Sequence, residues 1–178
     1  MYNLEEVGFL ALGMSQDGNV PVLLLGNKNK SRALPLMIGE TEAINISMAL
    51  VNNSPHVPDV HSLFNNLIAA LELKIDRIII KGNGDTCSAV IEIESPYQNL
   101  YPVQVEARTT DAITIALRSR IPIHVTESLF YEHSVQYQSD KDGFVLDTTR
   151  KEEDSDESFR EFLKNVNPSD FEKYSRGK

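Results

Sequence analysis

The sequence is short of cysteine, tryptophan and long apolar runs. Its one cysteine, Cys87, excludes an intrachain disulfide and favours a reducing compartment, which we expect to be the cytoplasm. No apolar run approaches the roughly 18 to 20 residues of a membrane-spanning helix, and the first residues lack the basic start and cleavage site of a signal peptide, so we expect no membrane association. The phosphate-binding glycine spacings, H-E-x-x-H, G-x-S-x-G and zinc-finger spacings are also missing, which excludes those classes of site.

Basic residues are scarce relative to acidic ones. The chain has 17 Lys and Arg against 26 Asp and Glu, so its formal net charge is −9 and its pI is near 4.9. Because binding along a phosphate backbone needs a surplus of cations on one face, this balance disfavours broad nucleic-acid binding but is compatible with a local basic cleft. The 178 residues, 41% of them hydrophobic, suit one core-forming domain with or without a tail.

The segment 100–128 contains the most informative pattern in the chain. Apolar and polar residues alternate over 103–108, which predicts a half-buried strand, and a polar hinge follows at 108–111. Residues 112–117 are almost wholly apolar, so we expect a helix in the centre of the fold. The basic turn 118–120 suits the negative end of that helix, and Pro122 prevents its continuation, so 121–125 is predicted as a strand.

The remaining patterns predict an α+β fold: one compact domain in which a mixed, mostly antiparallel, curved sheet packs around largely apolar helices. Further strands are predicted at 4–14 (buried on both faces), 20–25, 33–38, 75–81, 88–94 and 133–137, and further helices at 40–51 (mostly buried), 60–71 (capped by Asp59) and 127–131. We place this domain at 1–138. Residues 139–178 are predicted to be an acidic linker and an amphipathic helical tail, which carries Phe159, Phe162, Leu163 and Val166 at helical spacing.

Three polar side chains occupy the same position in separate predicted helices. Glu42, His61 and Asp111 each lie in a first turn, so if these helix starts converge they form a polar pocket lined by backbone N–H groups. The carboxylates of Glu42 and Asp111, with the imidazole, could hold a divalent metal such as Mg²⁺ or Mn²⁺, which polarises a phosphodiester and lowers the pKa of bound water. Alternatively, His61 acts as a general base that a carboxylate orients.

Each candidate also has a purely structural explanation. An acid in the first turn of a helix stabilises it by about 0.3 to 1 kcal/mol through the helix dipole. Asp111 could pair with Arg108, three residues before it, and His61 could be a hydrogen-bonded histidine at a helix start. Cys87 lies in a predicted strand without an evident His or basic partner, which indicates a buried and inert thiol.

Five short motifs occur in a recognisable order. They are Leu34-Pro35-Leu36-Met37-Ile38-Gly39, Glu42-Ala43, His61 ahead of the apolar stripe that starts at Leu63, the run from Val105 to Ile113, and Ile121-Pro122-Ile123. Their order and spacing resemble the bifunctional nuclease domain family over 7–137. The resemblance implies a compact α+β domain with activity on DNA and RNA. Glu42, His61, Arg108 and Asp111 match the family's recurrent polar positions, whereas Ser62 stands where the family commonly has an aspartate.

We therefore predict a nuclease that cleaves phosphodiester bonds in DNA and RNA with little sequence preference and with metal assistance. Glu42 and Asp111 are then metal ligands or acid–base groups, His61 is a base or a ligand, and Arg108 contacts a substrate phosphate. The alternative is a non-catalytic oligomeric module that binds protein partners, which the acidic composition and the aromatic tail favour. We also expect the chain to form a homo-oligomer.

Overall fold

The computed structural model describes residues 3–15, 19–51, 59–83, 86–94, 102–140 and 143–147, and in these it confirms the predicted α+β class. The strands are β1 (Leu4–Met14), β2 (Pro21–Asn27), β3 (Arg32–Met37), β4 (Ile75–Asn83), β5 (Thr86–Ile93), β6 (Val103–Arg108), β7 (Ile123–Thr126), β8 (Val135–Asp140) and β9 (Gly143–Asp147). The helices are α1 (Glu40–Leu50), α2 (Val60–Ala70), α3 (Thr109–Ser119) and α4 (Glu127–His133). No helix among these residues is long and apolar enough to cross a membrane.

The chain divides into two compact units. The first comprises Met1–Val7 and Ile44–Phe130, and the second comprises Gly8–Ala43 and Tyr131–Lys178. Both units take part of β1 and part of α1, because the divisions fall after Val7 and after Ala43.

The first unit holds the predicted central helix. Its strands lie in the order β6-β5-β4-β7-β1, with β4 and β7 parallel and the other neighbouring pairs antiparallel, so the sheet is mixed and mostly antiparallel as predicted. Helix α3 packs on β4, β5 and β6 and against α2. The prediction that α3 is central is confirmed, because its buried residues are Ala112, Ile113, Thr114, Ile115 and Ala116.

The second unit contains the strands β1-β2-β3-β8-β9 in that order. Strand β2 begins at Pro21, where a strand tolerates the missing backbone N–H of proline, and the side chains from Val22 to Leu25 are fully buried. Pro35 is accommodated inside β3 because β8 pairs with that strand only at Arg32 and Ala33.

Several apolar faces are more exposed than the sequence predicts. The predicted burial of α1 is wrong for Ile44, Met48 and Val51, which are exposed, although Ile46 is fully buried. The expectation that β1 is buried on both faces is also wrong, because Gly8 is exposed. An apolar period shows which residues share a face of an element, whereas the packing of other elements decides whether that face is covered.

Two boundaries also differ from the prediction. The polar hinge at 108–111 is absent, because α3 begins at Thr109 directly after β6. Strand β9 lies inside the segment predicted as a linker and pairs with β8, so regular structure continues beyond residue 138. The tail at 148–178, with its predicted helix, lies outside the described residues.

Candidate active site

The start of α3 directly follows the end of β6. Arg108 is the N-cap residue in an extended conformation, and its guanidinium cannot accept hydrogen bonds, so it provides no side-chain cap. Asp111 is the third residue of the helix, where the positive end of the helix dipole favours a carboxylate. The sequence Arg108-Thr109-Thr110-Asp111 therefore encodes a helix start whose negative charge comes from the first turn rather than from the cap.

The start of α2 has the side-chain cap that α3 lacks. Asp59 is the N-cap residue, as predicted, and its Oδ1 accepts a hydrogen bond of 2.8 Å from the backbone N–H of Ser62. His61 lies between these two residues, in the first turn, and its side chain points into the unit rather than into solvent. The cap thus fixes the backbone that carries the imidazole.

The first turns of α2 and α3 are joined by a hydrogen bond between His61 Nε2 and Asp111 Oδ1, at 3.1 Å. Since an ionised carboxylate only accepts hydrogen bonds, Nε2 carries the proton and donates. The exposure of the two partners is unequal: the His61 side chain is 4% exposed, whereas that of Asp111 is 39% exposed. A buried imidazole therefore holds a carboxylate that solvent can reach.

Two buried polar atoms next to this pair have no hydrogen-bond partner among the described residues. They are Nδ1 of His61 and Oγ1 of Thr109, which precedes Asp111 by two residues. Buried polar groups are normally paired, so unpaired ones mark places where a protein maintains a costly arrangement. Asn65 Oδ1 on α2 and Arg118 Nε on α3 are also buried without a partner among the described residues, so the unpaired atoms extend along both helices and do not mark the His61–Asp111 pair alone.

A second polar contact fixes α2 on α3. The guanidinium of Arg118, in the last turn of α3, binds both carboxylate oxygens of Asp59, with Nη1–Oδ1 at 2.9 Å and Nη2–Oδ2 at 2.5 Å, and Nη1 also donates to Ser62 Oγ at 2.6 Å. Burial opposes ionisation of Asp59, but the hydrogen bonds from Ser62 and Arg118 outweigh it, so the pKa of this carboxyl lies below its usual value.

Sequence reasoning missed this contact. A basic residue in the last turn of a helix is explained by the helix dipole alone, and Arg118 is separated from Asp59 by 59 positions. The N-cap role of Asp59 was readable from the sequence, whereas its second partner depends on how α2 crosses α3.

The structure brings together two of the predicted site residues, His61 and Asp111. The carboxylate of Asp111 thus contacts the imidazole, which is the kind of contact required by the alternative in which a carboxylate orients His61. Glu42 belongs to the second unit, where its carboxylate lies against Gly39, the residue before α1, so closely that an added Cβ at Gly39 would collide with it. A shared site of Glu42 with the pair stays a prediction.

Arg108 and Lys81 lie on the same face of the sheet in the first unit. Both pair in register with Ser88, one from each neighbouring strand, and residues opposite each other in adjacent strands point to the same side. Glu106, two residues before Arg108, shares that side. This face thus carries the acids Glu92 and Glu106 together with the two cations. Burial opposes ionisation of Glu92, but the hydrogen bonds from Arg77 and Gln104, and after them the charges of Arg77 and Lys81, hold the pKa of this carboxyl below its usual value.

The residues present suit a weakly held divalent cation better than a complete protein cage. Within the described part of the chain, no group of three or more His, Cys, Asp or Glu side chains is placed to hold a metal ion. Mg²⁺ typically keeps several of its waters and binds one or two carboxylates together with substrate phosphates. The exposed carboxylate of Asp111 fits that manner of binding, whereas the buried His61 ring does not.

Comparison with known proteins agrees with this architecture. The model of the bifunctional nuclease domain matches residues 23–138, which include both helix starts of the pair. The chain is 35% identical over 168 residues to the Uncharacterized protein MT1877 of Mycobacterium tuberculosis strain CDC 1551 / Oshkosh, covering 93% of this chain and 97% of that protein. The same values hold for the Uncharacterized protein Rv1829 of strain ATCC 25618 / H37Rv. The chain belongs to the bifunctional nuclease domain family, as the sequence motifs predict.

Proposed function

We propose that this protein hydrolyses phosphodiester bonds in DNA and RNA with little sequence preference, and that Asp111 is its catalytic residue. The observation that carries the proposal is the hydrogen bond between the buried His61 ring and the solvent-accessible Asp111 carboxylate. Membership of the bifunctional nuclease domain family supports the substrate class. Hydrolysis of such a bond requires a positioned water and stabilisation of the charge that develops on phosphate.

The unequal exposure of the pair assigns the two roles. Asp111 can touch a water or a hydrated cation, because more than a third of its side chain is accessible. His61 is almost fully enclosed, so it acts through Asp111: it donates from Nε2 and fixes one carboxylate oxygen, which leaves Oδ2 to face the reacting groups. We therefore propose His61 as a positioning residue and not as the base that meets the substrate.

Arg108 and Lys81 are the proposed phosphate contacts. They flank Ser88 on one face of the sheet, and Arg108 directly precedes the helix that carries Asp111. A guanidinium can donate two parallel hydrogen bonds to a phosphate, whereas an ammonium acts as a point charge. Such a pair supplies two cations in the unit that carries Asp111, on a face that also carries Glu106.

Metal assistance is part of the proposal. A bound Mg²⁺ or Mn²⁺ supplies Lewis-acid polarisation of the phosphate and a more acidic water. Asp111 would hold it through its carboxylate, and the role of Glu42 as a metal ligand stays a prediction from the sequence. This chain's own contribution is to hold the Asp111 carboxylate in the first turn of α3 and to orient it through His61.

The test is cleavage of end-labelled single-stranded DNA and RNA by the purified full chain, with Mg²⁺, with Mn²⁺ and with a chelator. We expect metal-dependent cleavage that falls at least about 100-fold in Asp111→Asn, the loss that removal of a general acid–base group typically causes. Glu42→Gln should also lower the rate if that carboxylate is a ligand. Asp76→Asn is the matched control, because Asp76 is a half-exposed carboxylate on β4, outside the proposed site. The Asp76→Asn protein should cleave at the wild-type rate.

Two results would contradict the assignment. One is full activity of a folded Asp111→Asn protein, and the other is cleavage that persists unchanged in the chelator. An alternative function, a non-catalytic binding module, is favoured by the exposed apolar side chains of α1 and α2. It predicts no cleavage above a mock purification in any metal.

A further inference from the structure

The outward side of α2 carries an apolar stripe. Its members are Val60, Leu63, Leu67 and Leu71, all more than half exposed, with Leu63 at 66%. Their spacing of three and four residues places them on one side of the helix, while His61 and Ile68 are buried on the neighbouring face. The helix is therefore anchored to its own unit on one side and presents a second apolar side outward. Large exposed apolar patches of this kind mark interaction surfaces.

The charge pattern around this stripe indicates what covers it. Between Ala43 and Leu71 the only charged residue is Asp59, and Arg118 pairs with that carboxylate. The stripe is thus electrically neutral on a chain of formal charge −9. A strongly charged partner, such as nucleic acid, would find no complementary charges on this helix. A second copy can approach the middle of the stripe without placing acidic side chains of the two chains against each other, since Asp59 and Glu72 lie at its ends.

We propose that the α2 stripe is the surface through which two copies of this chain pair about a two-fold axis. Closed two-fold dimers are the commonest assemblies of soluble proteins, and they require a surface that is complementary to itself. The stripe meets this condition in an antiparallel arrangement: Leu63 then packs against Leu67 of the partner subunit, and Val60 packs against Leu71 of the partner subunit. Antiparallel packing also brings opposite ends of the two helix dipoles together.

This inference does not depend on the nuclease proposal. The stripe lies roughly 100° around α2 from His61, so pairing covers a face of the helix next to the one that carries the positioning residue. Loss of cleavage would leave the dimer in place, and loss of the dimer would leave the His61–Asp111 contact intact. The two proposals can therefore fail separately.

The experiment is sedimentation of the full chain at about 1 to 100 μM, a range in which a dimer with a dissociation constant of about 1 μM or lower is the main species. We expect twice the 20.0 kDa mass of one chain. The double variant Leu63→Lys with Leu67→Lys should sediment as a single chain with an unchanged circular dichroism spectrum, because like charges then oppose each other across the axis. Val103→Lys is the control, because Val103 is 51% exposed and lies on β6, outside the stripe. The Val103→Lys protein should still form the dimer.

A second variant tests the antiparallel register. When Leu63→Glu and Leu67→Lys are combined in one chain, opposite charges meet across the proposed axis, so association should be at least about tenfold tighter than in the double-lysine variant. A single-chain mass for the wild type at every concentration would overturn the proposal, whether another protein or the chain's own tail occupies the stripe. A dimer that survives the double-lysine change, or one that Val103→Lys also dissociates, would overturn it too.

Discussion

The contact of Arg118 with the N-cap of α2 gives the most quantitative prediction about stability. Arg118→Met keeps the apolar stem of the side chain and removes the guanidinium that binds Asp59 and Ser62. Asp59 keeps its hydrogen bond from the Ser62 backbone, so the helix cap itself survives. The change therefore isolates the contact between the two helices from the cap.

The magnitude follows from the burial of the two partners. The side chains of Arg118 and Asp59 are 20% and 30% exposed. Breaking an ion pair costs about 0 to 1 kcal/mol at an exposed site and about 3 to 5 kcal/mol at a buried one. We place this bidentate, partly buried pair between these ranges, at about 2 kcal/mol of unfolding free energy. For a chain of this length that corresponds to a fall in Tm of about 4 to 8 °C.

The assay is a double-mutant cycle by urea or thermal unfolding. Asparagine is also a good N-cap residue, so Asp59→Asn preserves the cap while it weakens the pair, and the coupling energy between the two changes should account for most of the loss. Lys74→Met, which removes an exposed ion pair with Glu94, is the control and should change Tm little. Equal, small effects of Arg118→Met and Lys74→Met would refute the reasoning.

Three further predictions concern packing, pH and thiol reactivity. Gly26→Ala should destabilise the fold by about 1 to 3 kcal/mol in urea unfolding, because the new Cβ would collide with the Leu10 side chain. The pKa values of Asp59 and Glu92 are lowered: burial opposes ionisation, but hydrogen bonds from Ser62 and Arg118, and from Arg77 and Gln104, outweigh it. The stability that the two ionised carboxyls contribute is present above their unfolded pKa values, 3.8 for Asp59 and 4.5 for Glu92, and is lost as pH falls through the lower pKa values of the folded state. The urea midpoint should therefore drop across that acid range. Burial raises the pKa of the Cys87 thiol, so reaction with a disulfide reagent at neutral pH should be slow until urea unfolds the chain.

Each of these predictions has a control. Gly8 has no atom within 4 Å of an added Cβ, so Gly8→Ala should be nearly neutral, and an equal loss in both alanine variants would contradict the packing argument. The double variant Asp59→Asn with Glu92→Gln should show a flatter dependence of the urea midpoint on pH, and an unchanged slope would contradict the assignment to these carboxyls. A native-state reaction of Cys87 as fast as that of the unfolded chain would contradict its burial.

The local signals in the sequence predicted most of the regular structure. The change of period after Arg108, the stop at Pro122 and the cap at Asp59 act within a few residues, so they were readable without knowledge of the fold. The helix start at Thr109 was missed because a run of polar residues resembles a loop when its backbone is unknown. Strand β9 was missed although Phe144, Val145 and Leu146 are consecutive apolar residues, because the polar residues on both sides were interpreted as one linker; its pairing with β8 makes it a strand.

The candidate site was predictable in part. A shared first-turn position brought His61 and Asp111 into one hypothesis, and the structure joins them. The sequence did not show which of the two side chains is the more exposed, because that depends on how α2 packs on α3. Since Asp111 is the accessible one, we assign the contact with the reacting groups to the carboxylate and not to the imidazole. The packing of α2 on α3 also determines that Leu63 and Leu67 are exposed, although their helical spacing in the sequence is typical of a buried face.

The most direct test of the central claim compares cleavage rates for changes at His61 and Asp111, alone and combined. His61→Leu removes the donor to the carboxylate, whereas His61→Gln keeps an N–H near the position of Nε2, so we expect a large loss in the first and a partial rescue in the second. In the Asp111→Asn background, His61→Leu should cause no further loss, because the imidazole acts only through that carboxylate. Independent, multiplying losses in the folded double variant would contradict the account.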